Sequence, residues 1–127
     1  AENMIGSEKE AHAIVESVAK AAKGWAERTG KERAKVLRAV AQALEDHRAE
    51  LIEVAGNEAG KAIDQGDIEI SEAIDFALYY ADLAEELDSL EGAAYVPVST
   101  TLVTPPWNFP IAIPSQAVRV WSTSPPS

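Results

Sequence analysis

The chain has 127 residues, no cysteine, two histidines and a formal net charge of −10, from 21 acidic against 11 basic residues. That length suits one domain, and 46% apolar residues is ordinary for a globular chain. Absent cysteine excludes disulfides, thiolate metal sites and a cysteine nucleophile within these residues, and the acidic excess argues against a nucleic-acid surface.

Charge is unevenly spread along the chain. Residues 1–57 hold ten acids and nine bases, residues 58–91 eleven acids and only Lys61, and residues 92–127 no acid and only Arg119. All seven glycines lie at or before Gly92, and all seven prolines at or after Pro97. A charged, proline-free front therefore meets an uncharged, proline-rich rear near Gly92, where helical structure gives way to extended structure. The expected organisation is a helical segment over 1–91, strands and a proline-rich loop over 92–114, and a divergent tail over 115–127.

Ser7, followed by Glu8 and Glu10, reads as a helix start with acids in the first turn. Ala11, Ile14, Val15, Val18, Ala22 and Trp25 then recur at three- and four-residue steps, one stripe of an amphipathic helix. Thr29-Gly30-Lys31-Glu32 reads as a capping box, in which the hydroxyl accepts from the backbone and the carboxylate reaches back. The second helix places Val36, Leu37, Val40, Ala41 and Leu44 inward, with Arg33, Lys35 and Arg38 outward. After a pause at Asp46-His47, Leu51, Ile52 and Ala55 continue the pattern to Gly56 or Gly60. A fourth helix is expected from near Asp67 to about Leu87, with Ile70, Ile74, Ala77, Leu78, Ala81 and Ala84 at helical spacing.

Beyond Gly92 the texture changes. Tyr95-Val96-Pro97-Val98 and Thr101-Leu102-Val103 are short β-branched runs, read as two strands around a Ser99-Thr100 turn. A proline-locked segment follows from Pro105 to Pro114, and Ser115 to Val120 suits one more helix. The class is therefore mainly α, with about four amphipathic helices ahead of a hairpin-like, proline-rich extended tail. The uncharged run from Gly92 to Val118 is long, but its five prolines exclude a membrane-spanning helix. No basic-then-apolar stretch opens the chain, so no signal peptide is read and a cytoplasmic setting is expected.

Most charged clusters have ordinary readings. His12 and His47 are 35 positions apart, with no third ligand at a metal-binding spacing, so no metal site is expected. Asp64-Gln65-Gly66-Asp67-Ile68-Glu69 lacks the calcium-loop spacing and reads as a turn plus a helix start. Glu85-Glu86-Leu87-Asp88 reads as a solvated face. The bases between Lys20 and Arg38 are matched by neighbouring acids, which leaves no nucleic-acid stripe.

Pro105-Pro106-Trp107-Asn108-Phe109-Pro110 is different. Proline fixes φ on both sides, and the residue before each proline is pushed to extended geometry. An amide side chain held in so stiff a loop is suited to donate to a developing oxyanion. The same residues also fit a connector whose Trp and Phe plug a core, or a polyproline-type ligand for an aromatic groove.

Val103-Thr104-Pro105-Pro106-Trp107-Asn108-Phe109-Pro110 resembles the P-W-N-F-P segment of the NAD(P)-dependent aldehyde dehydrogenase superfamily. Upstream, Trp25…Arg28-Thr29…Glu32-Arg33…Leu37 is similar to that family's first helices, and Glu58-Ala59-Gly60-Lys61 to its E-x-G-K helix end. Glu72-Ala73-Ile74-Asp75-Phe76 with Tyr79-Tyr80-Ala81 resembles the branch that oxidises L-glutamate γ-semialdehyde, which includes bifunctional proline-utilisation enzymes. The resemblance runs from about residue 8 to 118 and implies the N-terminal piece of an α/β dehydrogenase. It implies that Asn108 donates to the oxyanion formed when a cysteine thiolate attacks the aldehyde. Thr104, Pro105 and Trp107 would line the nicotinamide side of an NAD or NADP site. Phe109 would pack beside the substrate chain, and Glu72 would lie near the substrate's amino end, where a carboxylate suits an ammonium.

The family's pattern is departed from after Pro114-Ser115. Gln116-Ala117-Val118-Arg119-Val120-Trp121 and the Ser/Pro-rich end depart from the small-residue helix expected there. The expectation is a truncated product with an out-of-frame tail, inactive alone and binding neither cofactor tightly. Its apolar helix faces and strand edges, deprived of cover, would favour a homo-oligomer. The alternative is a helical self-associating or partner-binding module without enzymatic activity.

Overall fold

A computed structural model describes residues 5–92 and 100–115. Its helices are α1 (Glu8–Ala26), α2 (Gly30–Asp46), α3 (Arg48–Ala59), α4 (Ile63–Leu87) and the single turn α5 (Ala112–Ser115). Among the described residues there is no strand.

Both expected caps form. Ser7 Oγ accepts from Glu10 N–H at 3.2 Å, and Thr29 Oγ1 accepts from Glu32 N–H at 3.2 Å while the Glu32 carboxylate takes Thr29 N–H at 2.9 Å. The Thr29 hydrogen bonds hold the Glu32 pKa below the ordinary carboxylate range. Helix α3 ends at Gly60, whose φ of 65° lies in the left-handed region open to glycine.

The core is the seam between α2 and α4. On α4 it is built from alanines at helical spacing, Ala73, Ala77, Ala81 and Ala84, and on α2 from Ala34, Leu37 and Ala41, all buried. Small side chains let the two backbones approach closely, and Gly30 marks the tightest point. A Cβ there would lie 1.9 Å from the Ala84 carbonyl oxygen. Asp88, just past α4, uses the same proximity: its carboxylate accepts Gly30 N–H at 2.7 Å and Lys31 N–H at 3.0 Å. It thereby satisfies two of the donors that every helix start leaves over. Arg38 closes the seam outside by donating to Glu85 at 2.7 Å and Asp82 at 2.8 Å. Arg48, at the start of α3, reaches Glu45 and Asp67, each at 2.7 Å, and Ser71 at 3.0 Å, which ties the α2–α3 corner to α4.

Three expectations need correction. Arg33 is buried, not outward: it shares the α2 face of Gly30, Ala34 and Leu37, and its guanidinium donates to the Ala26 carbonyl at 3.2 Å. The inward face is thus rotated toward Arg33, and Val36, Val40 and Leu44 are only half-buried. Burial pushes the Arg33 pKa down and nearby Asp88 offsets part of that, so the group stays cationic. Helix α4 begins at Ile63 rather than near Asp67, because Gly66 continues the helix and fits closely against Ile52 of α3. The apolar stripe of α1, in keeping with the expectation of helix faces deprived of cover, buries no residue, and no described helix lies alongside it. Thr101-Leu102-Val103 forms no strand; its expected partner, Tyr95–Val98, and the helix expected beyond Ser115 lie outside the described residues.

Candidate functional site

The turn at Gly60 brings Lys61 back over the first turns of α4. There Lys61 Nζ pairs with Glu69 Oε2, and the two side chains are 13% and 2% exposed. The other oxygen of Glu69 accepts the backbone N–H groups of Ile111 and Ala112, both at 2.8 Å. Burial alone pushes this carboxyl's pKa up. The ion pair with Lys61 and the two N–H donors outweigh burial and hold it below the ordinary carboxylate range. Lys61 Nζ also lies 4.5 Å from the centre of the Phe109 ring, a cation–π distance.

From this anchor the proline-rich loop projects. Phe109 N–H donates to the Pro106 carbonyl at 3.1 Å, closing a turn with Trp107 and Asn108 at its tip. Both tip residues are exposed. The flanking prolines leave the turn few alternatives, since each fixes its own φ.

Between the loop and α4 lies a cleft of about 390 Å³. It is lined by Lys61 from the α3–α4 turn, by Glu69 and Glu72 from α4, and by Trp107, Asn108 and Phe109 from the loop. The structure therefore brings together four residues singled out from sequence, Glu72, Trp107, Asn108 and Phe109, at one opening. Thr104 and Pro105 are exposed and do not line it. An amide with two donors and a carboxylate line the same cleft, together with aromatic rings. That suits a small polar molecule with an oxygen at one end and a cation at the other.

The aldehyde dehydrogenase family model matches residues 1–120. The chain belongs to the aldehyde dehydrogenase family. It is 37% identical over 115 residues to a 1-pyrroline-5-carboxylate dehydrogenase of Bacillus pumilus, covering 83% of this chain and 22% of that protein. It is 32% identical over 107 residues to the bifunctional protein PutA of Salmonella typhimurium, covering 84% of this chain and 8% of that protein. An alpha-ketoglutarate semialdehyde dehydrogenase of Haloferax volcanii is 31% identical over 119 residues, 86% of this chain and 25% of its own length. The chain thus spans a quarter or less of the curated relatives named. No solved structure gives a significant match.

Sequence reasoning gave no site role to Lys61 or Glu69, the pair that lines this cleft and holds the loop. Their signal was present: Lys61 is the one base among the eleven acids of 58–91, and Glu69 interrupts the face that α4 buries. His12 sits on the exposed surface of α1 beside Glu8, and His47 in the exposed turn between α2 and α3 beside Glu50. Among the described residues no cluster of three or more His, Cys, Asp or Glu is placed to hold a metal ion. None of the described helices is long and apolar enough to cross a membrane.

Proposed function

We propose that this chain is the N-terminal region of a cytoplasmic, NAD(P)-dependent dehydrogenase that oxidises L-glutamate γ-semialdehyde to glutamate in proline catabolism. The observation that carries the reading is the cleft that Asn108, Phe109 and Glu72 line together. Asn108 donates to the aldehyde oxygen as it gains negative charge; Phe109 covers the substrate's carbon chain; Glu72 receives its ammonium. The names of the Bacillus and Salmonella relatives support the proline branch, and the Haloferax relative makes α-ketoglutarate semialdehyde the competing substrate.

NAD or NADP, when bound, supplies the hydride acceptor. The residues present suit one end of it only. Thr104, Pro105 and Trp107 offer an uncharged, proline-stiffened edge for a nicotinamide ring, whereas residues 92–118 hold no Lys or Arg for its phosphates. No cysteine lies in these 127 residues to act as nucleophile, so the chain alone turns over no aldehyde. The exposed α1 stripe supports self-association of the free chain, since Ile14, Val15 and Val18 are 46%, 55% and 47% exposed.

A chimaera tests the reading. Residues 8–115 replace the matching part of the Bacillus pumilus enzyme, and NAD- and NADP-linked oxidation of both semialdehydes is assayed. Activity on glutamate γ-semialdehyde is expected, with Asn108→Ala lowering kcat roughly 100- to 1,000-fold. A folded chimaera inactive on both aldehydes removes the reading.

A further inference from the structure

Lys61 and Glu69 do more than fill space. A buried ion pair is a poor source of stability, because the cost of desolvating two charges offsets most of their attraction. What this pair does is directional. One oxygen of Glu69 is committed to Lys61 and the other to the N–H groups of Ile111 and Ala112. Those amides are three and four residues beyond Asn108, and Pro110 stiffens the link between. Three residues of chain span at most about 10 Å, so fixing the amides confines Asn108 to the mouth of the cleft. The ammonium of Lys61, already committed to Glu69, sits over one face of Phe109 and sets the plane of that ring.

We infer that Lys61 and Glu69 are positioning residues that clamp the Trp107–Phe109 loop onto α4, aiming the Asn108 amide and the Phe109 ring into the cleft. The inference rests on the dehydrogenase reading for its purpose, and on this chain alone for its geometry.

The test uses nuclear magnetic resonance on the full chain. In the unaltered chain the amides of Ile111 and Ala112 exchange slowly, and the Lys61 ε-methylene protons are shifted upfield by the Phe109 ring. The decisive variant is the double substitution K61M/E69L, which replaces the pair with apolar groups of similar size. Removing the ion pair itself should cost little, so its thermal midpoint is expected to fall only modestly, through loss of the acceptor for two backbone N–H groups. Exchange at Ile111 and Ala112 should nonetheless quicken roughly 10- to 100-fold, as expected when charge-assisted hydrogen bonds are lost. The amides of Leu37, Ala77 and Ala81 should keep their rates.

Should the double variant fail to fold, E69Q is read in its place: the neutral amide keeps the shape of the carboxylate and loses the charge assistance, so exchange at Ile111 and Ala112 should still quicken. Fast exchange at Ile111 and Ala112 in the unaltered chain would overturn the inference. So would loop signals that stay fixed in the variants, or that move only in step with the α2–α4 core. An inactive chimaera beside a confirmed clamp removes the dehydrogenase reading alone; an active chimaera beside an unmoved loop removes the clamp alone.

Discussion

Helix α1 opens on Ser7 and runs 19 residues; helix α2 opens on Thr29 and runs 17. Both start with a hydroxyl accepting from the third residue's N–H, and both carry apolar side chains at three- and four-residue steps. Yet α2 buries Gly30, Arg33, Ala34, Leu37 and Ala41, and α1 buries none. The difference lies in the partner rather than in either helix. Helix α4 presents to α2 a row of alanines and the Asp88 carboxylate, both usable only at very short range, and Gly30 permits that range. Capping and periodicity make a helix; a matching surface makes it part of a core.

Two glycines test this most severely. Gly30→Ala puts a Cβ 1.9 Å from the Ala84 oxygen and 2.7 Å from Asp88 Oδ1. Alanine's better helix propensity, worth about 1 kcal/mol, is outweighed by the backbone clash, and a net loss of about 3 kcal/mol is expected in urea unfolding. Gly24→Ala in α1 meets nothing within 4 Å. It should raise helicity and cost nothing, with a gain of up to about 1 kcal/mol in the local stability of α1. Equal effects at the two sites would show that α2 and α4 are not in close contact.

Where sequence reading succeeds and fails follows the same line. Helix caps at Ser7 and Thr29 are local, so their partners are three residues away and visible in the string. The bury-or-expose decision at Arg33 depends on Ala26 and on α4, and helical periodicity cannot see across that gap. Its long stem packs inward while its head finds a carbonyl, which hydropathy reads as an outward charge. Glycine next to acids reads as a turn, yet Gly66 lies inside α4, packed at ordinary contact distance from Ile52 of α3. In the candidate site, the Trp107–Phe109 loop was legible from its prolines and its family resemblance. Lys61 was legible as the end of the Glu58-Ala59-Gly60-Lys61 motif and Glu69 as part of a helix start, but their pairing, and its link to a segment 42 residues further on, was not.

Acid should dissolve the contrast between the helices by weakening the packed side. Glu32, Glu69 and Glu85 all have lowered pKa values: Glu32 through Thr29, Glu69 because Lys61 and two N–H groups outweigh its burial, and Glu85 through Arg38. A carboxyl whose folded pKa is depressed adds stability that is complete above its unfolded pKa, about 4.3, and is lost as pH falls through the folded value. All three groups belong to α2 and α4. Thermal unfolding followed by circular dichroism should show a midpoint flat from pH 7 to about 5 and falling below about 4. A midpoint that rises on acidification would refute the assignment.

The smallest effect on stability should come from α1, and it separates packing from association. Val15→Lys with Val18→Lys places two charges on a face that already meets solvent, since these residues are 55% and 47% exposed. Lysine is a better helix former than valine, so the folded monomer should change by less than about 0.5 kcal/mol. Association through that face should suffer, because each ammonium would have to be desolvated against apolar surface. Sedimentation should then show the parent chain self-associating at high micromolar concentration and the double variant monomeric. If the parent is already monomeric, the α1 stripe is not a self-association surface. If instead the variant loses several kcal/mol of stability, α1 is packed on structure in solution, and its contrast with α2 disappears.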